Sequence, residues 1–261
     1  MTIRPGGYAE RRVDPPWFRK LVVEERYVEP AERRNLYRLA AALITVGLVL
    51  FTILLIGVLT HTGVQQLDRP VERWFDAQRS RETTGFMVVL AVVFGPVALP
   101  IIVVVVLGTW IAQARHLWRP VLFAGGMGTG VVLALVLAPI VRHPRPPIGQ
   151  MLMDPDRTFS FPSGHVLGTA DFFLILAFLL ASRVRRTWFT VAAIGVAVLG
   201  IAAQFVSRLY LGYHWISDTS ASIALSMVIV GSLIAIDTRR TVRIPGERVT
   251  GEFSAVQRDG T

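Results

Sequence analysis

The sequence predicts an all-α polytopic membrane protein with six transmembrane helices, and three observations carry that expectation. Of its 261 residues 52% are hydrophobic and mean hydropathy is +0.52, above what a soluble basic domain shows. Six apolar stretches with almost no charge are each long enough to cross a bilayer, which takes roughly 17 to 25 residues per helix. The 27 Lys and Arg divide 19 against 8 between alternate sides of those stretches, the bias that the positive-inside rule requires of a spanning chain.

The spans run Leu39 to Thr60, Gly85 to Ala114, Pro120 to Val141, Val166 to Ser182, Thr187 to Ser207 and Thr219 to Ile236. The second is overlong and carries Pro96 and Pro100, so it is expected to be kinked or tilted. The fourth is short and holds one acid, Asp171. Asp171 shares a helical stripe with Gly164 and Gly168 and is expected to hydrogen-bond a neighbouring helix or to face an arginine. The glycines of "AGGMGTG", 124–130, suit close helix packing. A phosphate loop there would need a following lysine.

Three regions follow: a cytosolic basic tail over 1–38, a six-helix transmembrane domain over 39–237 and a disordered cytosolic tail over 238–261. Residues 1–38 mix arginines with acids and hold no short apolar core, unlike a secretory signal. The last segment has few large apolar residues, and its basic start suits anionic lipid. Both termini are thus expected in the cytoplasm of a plasma-membrane protein, and topology with anionic lipid accounts for the formal charge of +9 without a nucleic-acid partner. The outward stretch "LDRPVERWFDAQRS" reads either as a short interfacial helix with Trp74 at headgroup level or as a loop with incidental aromatics. His61 and His116 fall at span ends. Lys20 stands alone against 26 arginines, a usage that suits a GC-rich bacterial genome.

Chemistry gathers in two outward loops, "VRHPRPPIGQMLMDPDRTFSFPSGHV" (141–166) and "SRLYLGYHWISD" (207–218). Ionisable groups at the edge of lipid are costly and default to function. His214 and Asp218 are four apart, so at a helix start the carboxylate can hold one imidazole nitrogen and leave the other free. In "PSGH" a tight turn opens a helix at Ser163 and Gly164, and helix N-termini favour phosphate. Arg145 and Arg208 add planar bidentate cations. Zero cysteines exclude a thiolate nucleophile and Cys-based metal sites; no cofactor or metal is expected. His143 reads as a solvated loop histidine or a phosphate contact.

Ser207, Arg208, His214 and Asp218 meet the pattern S-R-x5-H-x3-D, Pro162 to His165 meet "PSGH", and Arg145 with Pro146 meets R-P. Three motifs in this order on this topology resemble the type 2 phosphatidic acid phosphatase superfamily, which includes lipid phosphate phosphatases, bacterial acid phosphatases and vanadium haloperoxidases. The resemblance implies that His214 takes the phosphoryl group as a phosphohistidine, with Asp218 orienting it. It implies that His165 protonates the leaving oxygen and then activates water, and that Arg145, Arg208, Ser163 and the Gly164 N–H hold the phosphoryl oxygens. Membrane members of the family need no metal ion.

One position departs from the pattern. The family motif K-x6-R-P has Ala138 where the lysine should stand, and Arg142, one turn later, is the residue placed to replace it. The expected activity is hydrolysis of a lipid phosphomonoester or diphosphate, polyprenyl diphosphate first and phosphatidic acid next. The alternative is a catalytically silent membrane protein that binds a lipid headgroup or a protein partner, which Ala138 favours and the intact His165, His214 and Asp218 oppose.

Overall fold

The computed structural model describes residues 20–248 and 254–256. Helix α1 (Pro30–Thr60) is followed by a short 3-10 turn and α2 (Asp68–Ala77); then come α3 (Arg81–Val93), α4 (Ala98–Gln113), α5 (Trp118–Val141), α6 (Gly164–Val184), α7 (Thr187–Tyr210) and α8 (Ile216–Thr241). Among the described residues, helices α1, α5, α6, α7 and α8 are each long and apolar enough to span a bilayer, and α3 with α4, bent by 50° at their junction, make a sixth when the pair is counted as one broken span. The bend sits at Phe94 to Val97, where Pro96 cannot continue a helix. Pro100 falls in the first turn of α4, where a missing N–H costs nothing.

Helix α8 is the axis of the bundle: 61% of its most apolar window is buried against 17% for α7. Leu225, Ile229, Leu233 and Ile234 of α8 pack with Phe123 of α5 and Leu167, Ile175 and Leu179 of α6. Helix α1 lies along α8, and a Cβ on Gly47 would stand only 2.7 Å from the Ala224 carbonyl oxygen, so only glycine allows this approach. Val191, Ile194, Val198 and Leu199 of α7 are exposed, which is the burial pattern of a helix solvated by lipid. Asp171 accepts a hydrogen bond from Ser226 at 2.6 Å, so its partner is a serine of α8 and not an arginine.

Helix α1 starts well before Leu39. Pro30 at its first position presets φ, and the first turns carry Glu32, Arg33, Arg34 and Arg38, polar enough to emerge from the lipid. Both segments read as tails contribute structure. Strand β1 (Val23–Tyr27) runs parallel between β2 (Val242–Arg243) and β3 (Ser254–Val256). The expectation of disorder over 238–261 is corrected for 238–248 and 254–256: α8 continues to Thr241, and the fully buried Glu25 pairs with Arg240 at 3.3 Å and Arg243 at 2.7 Å. Those pairs supply long-range anchoring that a low-hydrophobicity segment does not reveal. The segment "RRVDPPWFR" lies outside the described residues.

Candidate active site

The cluster forms where α7 ends, α8 begins and the 142–163 loop folds across them. Gly212 turns the chain at φ 76°, and a Cβ there would collide with the Gln150 carbonyl. The loop is tied down by Leu152 N–H to Leu211 O at 3.1 Å, Tyr213 Oη to Asp154 O at 2.6 Å and Trp215 Nε1 to Pro144 O at 2.6 Å. Helix α2, the amphipathic segment between α1 and α3, closes the floor: Asp68 accepts from Ser217 N–H at 3.0 Å and from Ser217 Oγ at 2.8 Å. Asp218 accepts the Trp215 N–H at 2.9 Å, so two carboxylates stabilise the N-terminal turn of α8.

His214 is 3% exposed. Its Nδ1 lies 2.9 Å from the Ser160 carbonyl oxygen and 3.5 Å from Asp218 Oδ2. A carbonyl oxygen only accepts, so Nδ1 carries the proton and Nε2 keeps its lone pair. Arg145 Nη1 stands 3.1 Å from that Nε2, which fits only an accepting nitrogen. Burial holds the imidazole well below its ordinary pKa, to about 4; Asp218 pulls upward while Arg145 and Arg208 push further down. The ring is therefore neutral at physiological pH.

The two arginines differ. Arg145 is held on every side, donating to Thr158 O at 3.1 Å, Thr158 Oγ1 at 2.9 Å and Tyr213 O at 2.7 Å, and pairing with Asp156 at 2.8 Å. Arg208 stacks on Tyr213 at 4.5 Å and its buried Nε has no hydrogen-bond partner among the described residues. With His165, Asp156 and Tyr213 it lines a cavity of about 310 Å³, whose far wall is the Gly95 to Val97 break between α3 and α4. The kinked span thus shapes the cluster's mouth. Ser163 caps α6 by accepting from Val166 N–H at 3.5 Å, and its own carbonyl receives Ser222 Oγ at 3.0 Å. Gly164 opens α6 with free space on its side-chain face, and first-turn amides have no acceptor within the helix.

Of the residues singled out in the sequence, His214, Asp218, Arg145, Arg208, His165, Ser163 and Gly164 converge here. Arg142 does not. It caps α5 in the left-handed region at φ 54°, is exposed, and donates Nε back to Pro139 O at 3.0 Å. His143 is the correction on the other side: it is not a solvated loop histidine but 4% exposed, with Nδ1 2.8 Å from Asp218 Oδ1 and 3.2 Å from Ser160 Oγ. Asp156, Thr158, Ser160 and Asp68 also escaped sequence reasoning. The nearness of His143 to Arg145 in "RHPRP" is the one local signal available; the other contacts are made only by long-range folding.

The geometry offers a buried neutral imidazole with a free Nε2, a second imidazole facing a cavity, two guanidinium groups and a helix N-terminus, the parts needed to hold and attack a tetrahedral anion. Phosphatidylglycerophosphatase B of Bacillus subtilis strain 168 is 26% identical over 194 residues, covering 70% of this chain and 90% of that protein. The crystal structure of a transmembrane PAP2-type phosphatidylglycerolphosphate phosphatase from Bacillus subtilis superposes with TM-score 0.68 at 21% identity, over 77% of this chain and 96% of that one, a match of fold. Residues 119–241, the segment that supplies every motif residue of the cluster, match the family model of the PAP2 superfamily.

Proposed function

We propose that this protein is a membrane lipid phosphatase that hydrolyses a lipid phosphomonoester through His214. The observation that carries the reading is the tautomer of His214, whose Nδ1 proton is committed to the Ser160 carbonyl while Nε2 keeps its lone pair beside Arg145. In the first step Nε2 attacks phosphorus, the N–P bond forms, the P–O bond to the lipid breaks, and protonated His165 gives its proton to the leaving oxygen. In the second, neutral His165 takes a proton from water, whose oxygen attacks phosphorus as the N–P bond breaks; inorganic phosphate leaves and both histidines return to their starting states. Arg208, Arg145 and the first amides of α6 stabilise the charge that develops on the phosphoryl oxygens. Ser163 acts through α6 as its cap.

The name of the Bacillus relative favours phosphatidylglycerol phosphate as substrate over the polyprenyl diphosphate suggested by an outward site. The arginine bias favours an outer-face location with both termini in the cytoplasm. The test is phosphate release by detergent-purified protein, with EDTA present, on phosphatidylglycerol phosphate, phosphatidic acid and polyprenyl diphosphate. Release on the first that vanishes in His214→Ala is expected. A folded sample silent on all three would favour the headgroup-binding reading that Ala138 suggests.

A further inference from the structure

The membrane face opposite the histidine cluster holds a second anion-shaped feature. There the last turns of α4, α6 and α8 meet the start of α5, and a cavity of about 380 Å³ is lined by Arg26, Arg115, Arg119 and Arg183 with His116, Trp110 and Trp118, against a single carboxylate, Glu24. Glu24 is shared: His116 Nε2 stands 3.2 Å from Oε1 and Arg183 Nη1 3.8 Å from Oε2. Asp237, behind the wall, is held by Trp118 Nε1 at 2.9 Å, so among the described residues the guanidinium groups lining the cavity outnumber Glu24 and Asp237 together.

The cationic atoms are built into the fold. Arg26 donates Nη1 to Ser182 O at 2.7 Å and Arg119 donates Nη1 to Leu179 O at 3.0 Å, so both guanidinium groups are fixed on the C-terminal turn of α6. Neither interaction neutralises charge. The Arg26 Nε and the His116 Nδ1 are buried with no hydrogen-bond partner among the described residues. Burying cations with unmet polar atoms is costly unless an anion completes the site, and arginine forks match phosphate oxygens in planar geometry. Two indoles on the wall suit the interfacial layer of a bilayer, and the volume is in the range of small-ligand sites, roughly 300 to 1,000 Å³.

We propose that this cavity binds a phosphate-bearing anion, separately from the His214 cluster and on the other side of the membrane. Two sources share that chemistry, an anionic phospholipid headgroup of the adjacent leaflet and free inorganic phosphate. Phosphatidylglycerol is the suitable lipid probe because it is a phosphodiester and carries no terminal phosphate to hydrolyse.

The experiment follows the melting temperature of the full chain in detergent during titration with phosphatidylglycerol, phosphatidylcholine and inorganic phosphate. The expected result is that phosphatidylglycerol raises it in the wild type and in Arg208→Gln alike, that phosphatidylcholine does not, and that the double variant Arg26→Gln, Arg119→Gln moves the half-saturation point upward at least tenfold. Stabilisation by inorganic phosphate with the same sensitivity to the double variant supports the site and assigns it to the free ion. Should the double variant fail to purify folded, Arg115→Gln, an exposed position, must weaken the half-point at least threefold. Unchanged half-points in these variants, or no response to either anion, would overturn the proposal.

Discussion

His143 lies closer to Asp218 than His214 does: 2.8 Å from Nδ1 to Oδ1, against 3.5 Å from His214 Nδ1 to Oδ2. The carboxylate that the motif spacing assigns to His214 is anchored first by a histidine outside the motif. His214 Nδ1–H donates its shorter bond to the Ser160 carbonyl oxygen, and Ser160 Oγ in turn bonds His143. In the proposed reaction His143 is therefore a positioning residue. His143→Ala removes a buried partner from Asp218, costing about 1 to 3 kcal/mol in stability. It is expected to lower kcat about tenfold while KM changes little; an unchanged kcat in steady-state phosphate release would count against the relay.

Arg145 is paired with Asp156 at 2.8 Å, where the proposed reaction places a phosphoryl oxygen. Burial favours the protonated form of Asp156, but hydrogen bonds from Thr158 and the charge of Arg145 outweigh it and hold its pKa below the ordinary value. A dianionic headgroup has to displace that carboxylate. Asp156→Asn is expected to lower KM several-fold with kcat near the wild-type value, and Asp156→Glu to leave KM close to wild type. Equal KM values in wild type and Asp156→Asn would show that Arg145 engages substrate without releasing its partner.

The pH dependence follows from His214. Its folded pKa of about 4 lies below the ordinary 6.5, so the unfolded chain binds the proton first. The contribution to stability is present above about 6.5 and is lost as pH falls toward 4, with a slope of at most about 1.4 kcal/mol per pH unit. Because the ring stays neutral throughout, the acid limb of kcat/KM assigned to the nucleophile is expected near pH 4 to 5 rather than 6.5. A half-maximal point for that limb at about 6.5 would mean an exposed imidazole.

Asp68 gives the opposite slope. Burial raises its pKa from 3.8 to about 6, against two lowering hydrogen bonds from Ser217. The folded state keeps this proton longer than the unfolded chain, so stability from Asp68 is full below about 4 and declines as pH rises through about 6. Asp68→Ala is expected to flatten that decline in thermal melts. It should also cost about 1 kcal/mol through the lost support of the α8 N-terminus.

The bundle was legible because lipid imposes length and hydropathy on each span, and the kink because Pro96 stands within the second. The motif residues were legible because His214 with Asp218, and Ser163 with Gly164, act through short spacings on one helix start. What escaped depended on partners distant in sequence. Asp68 reaches Ser217 from a separate amphipathic helix, and Glu25 organises a three-stranded sheet that neither tail announces. Arg142 misled for a local reason: α5 ends there in a left-handed cap, so the spacing of a continuing helix does not apply.

In the proposed reaction His214 Nε2 becomes covalently phosphorylated. The most direct test is to mix enzyme with phosphatidylglycerol phosphate labelled in its terminal phosphate, quench in alkali, where phosphohistidine survives, and map the label by peptide. Transient label is expected on the peptide containing His214, stoichiometric with active enzyme and absent in His214→Ala. Turnover by His214→Ala, or turnover in the wild type with the label mapped to another residue, would contradict it.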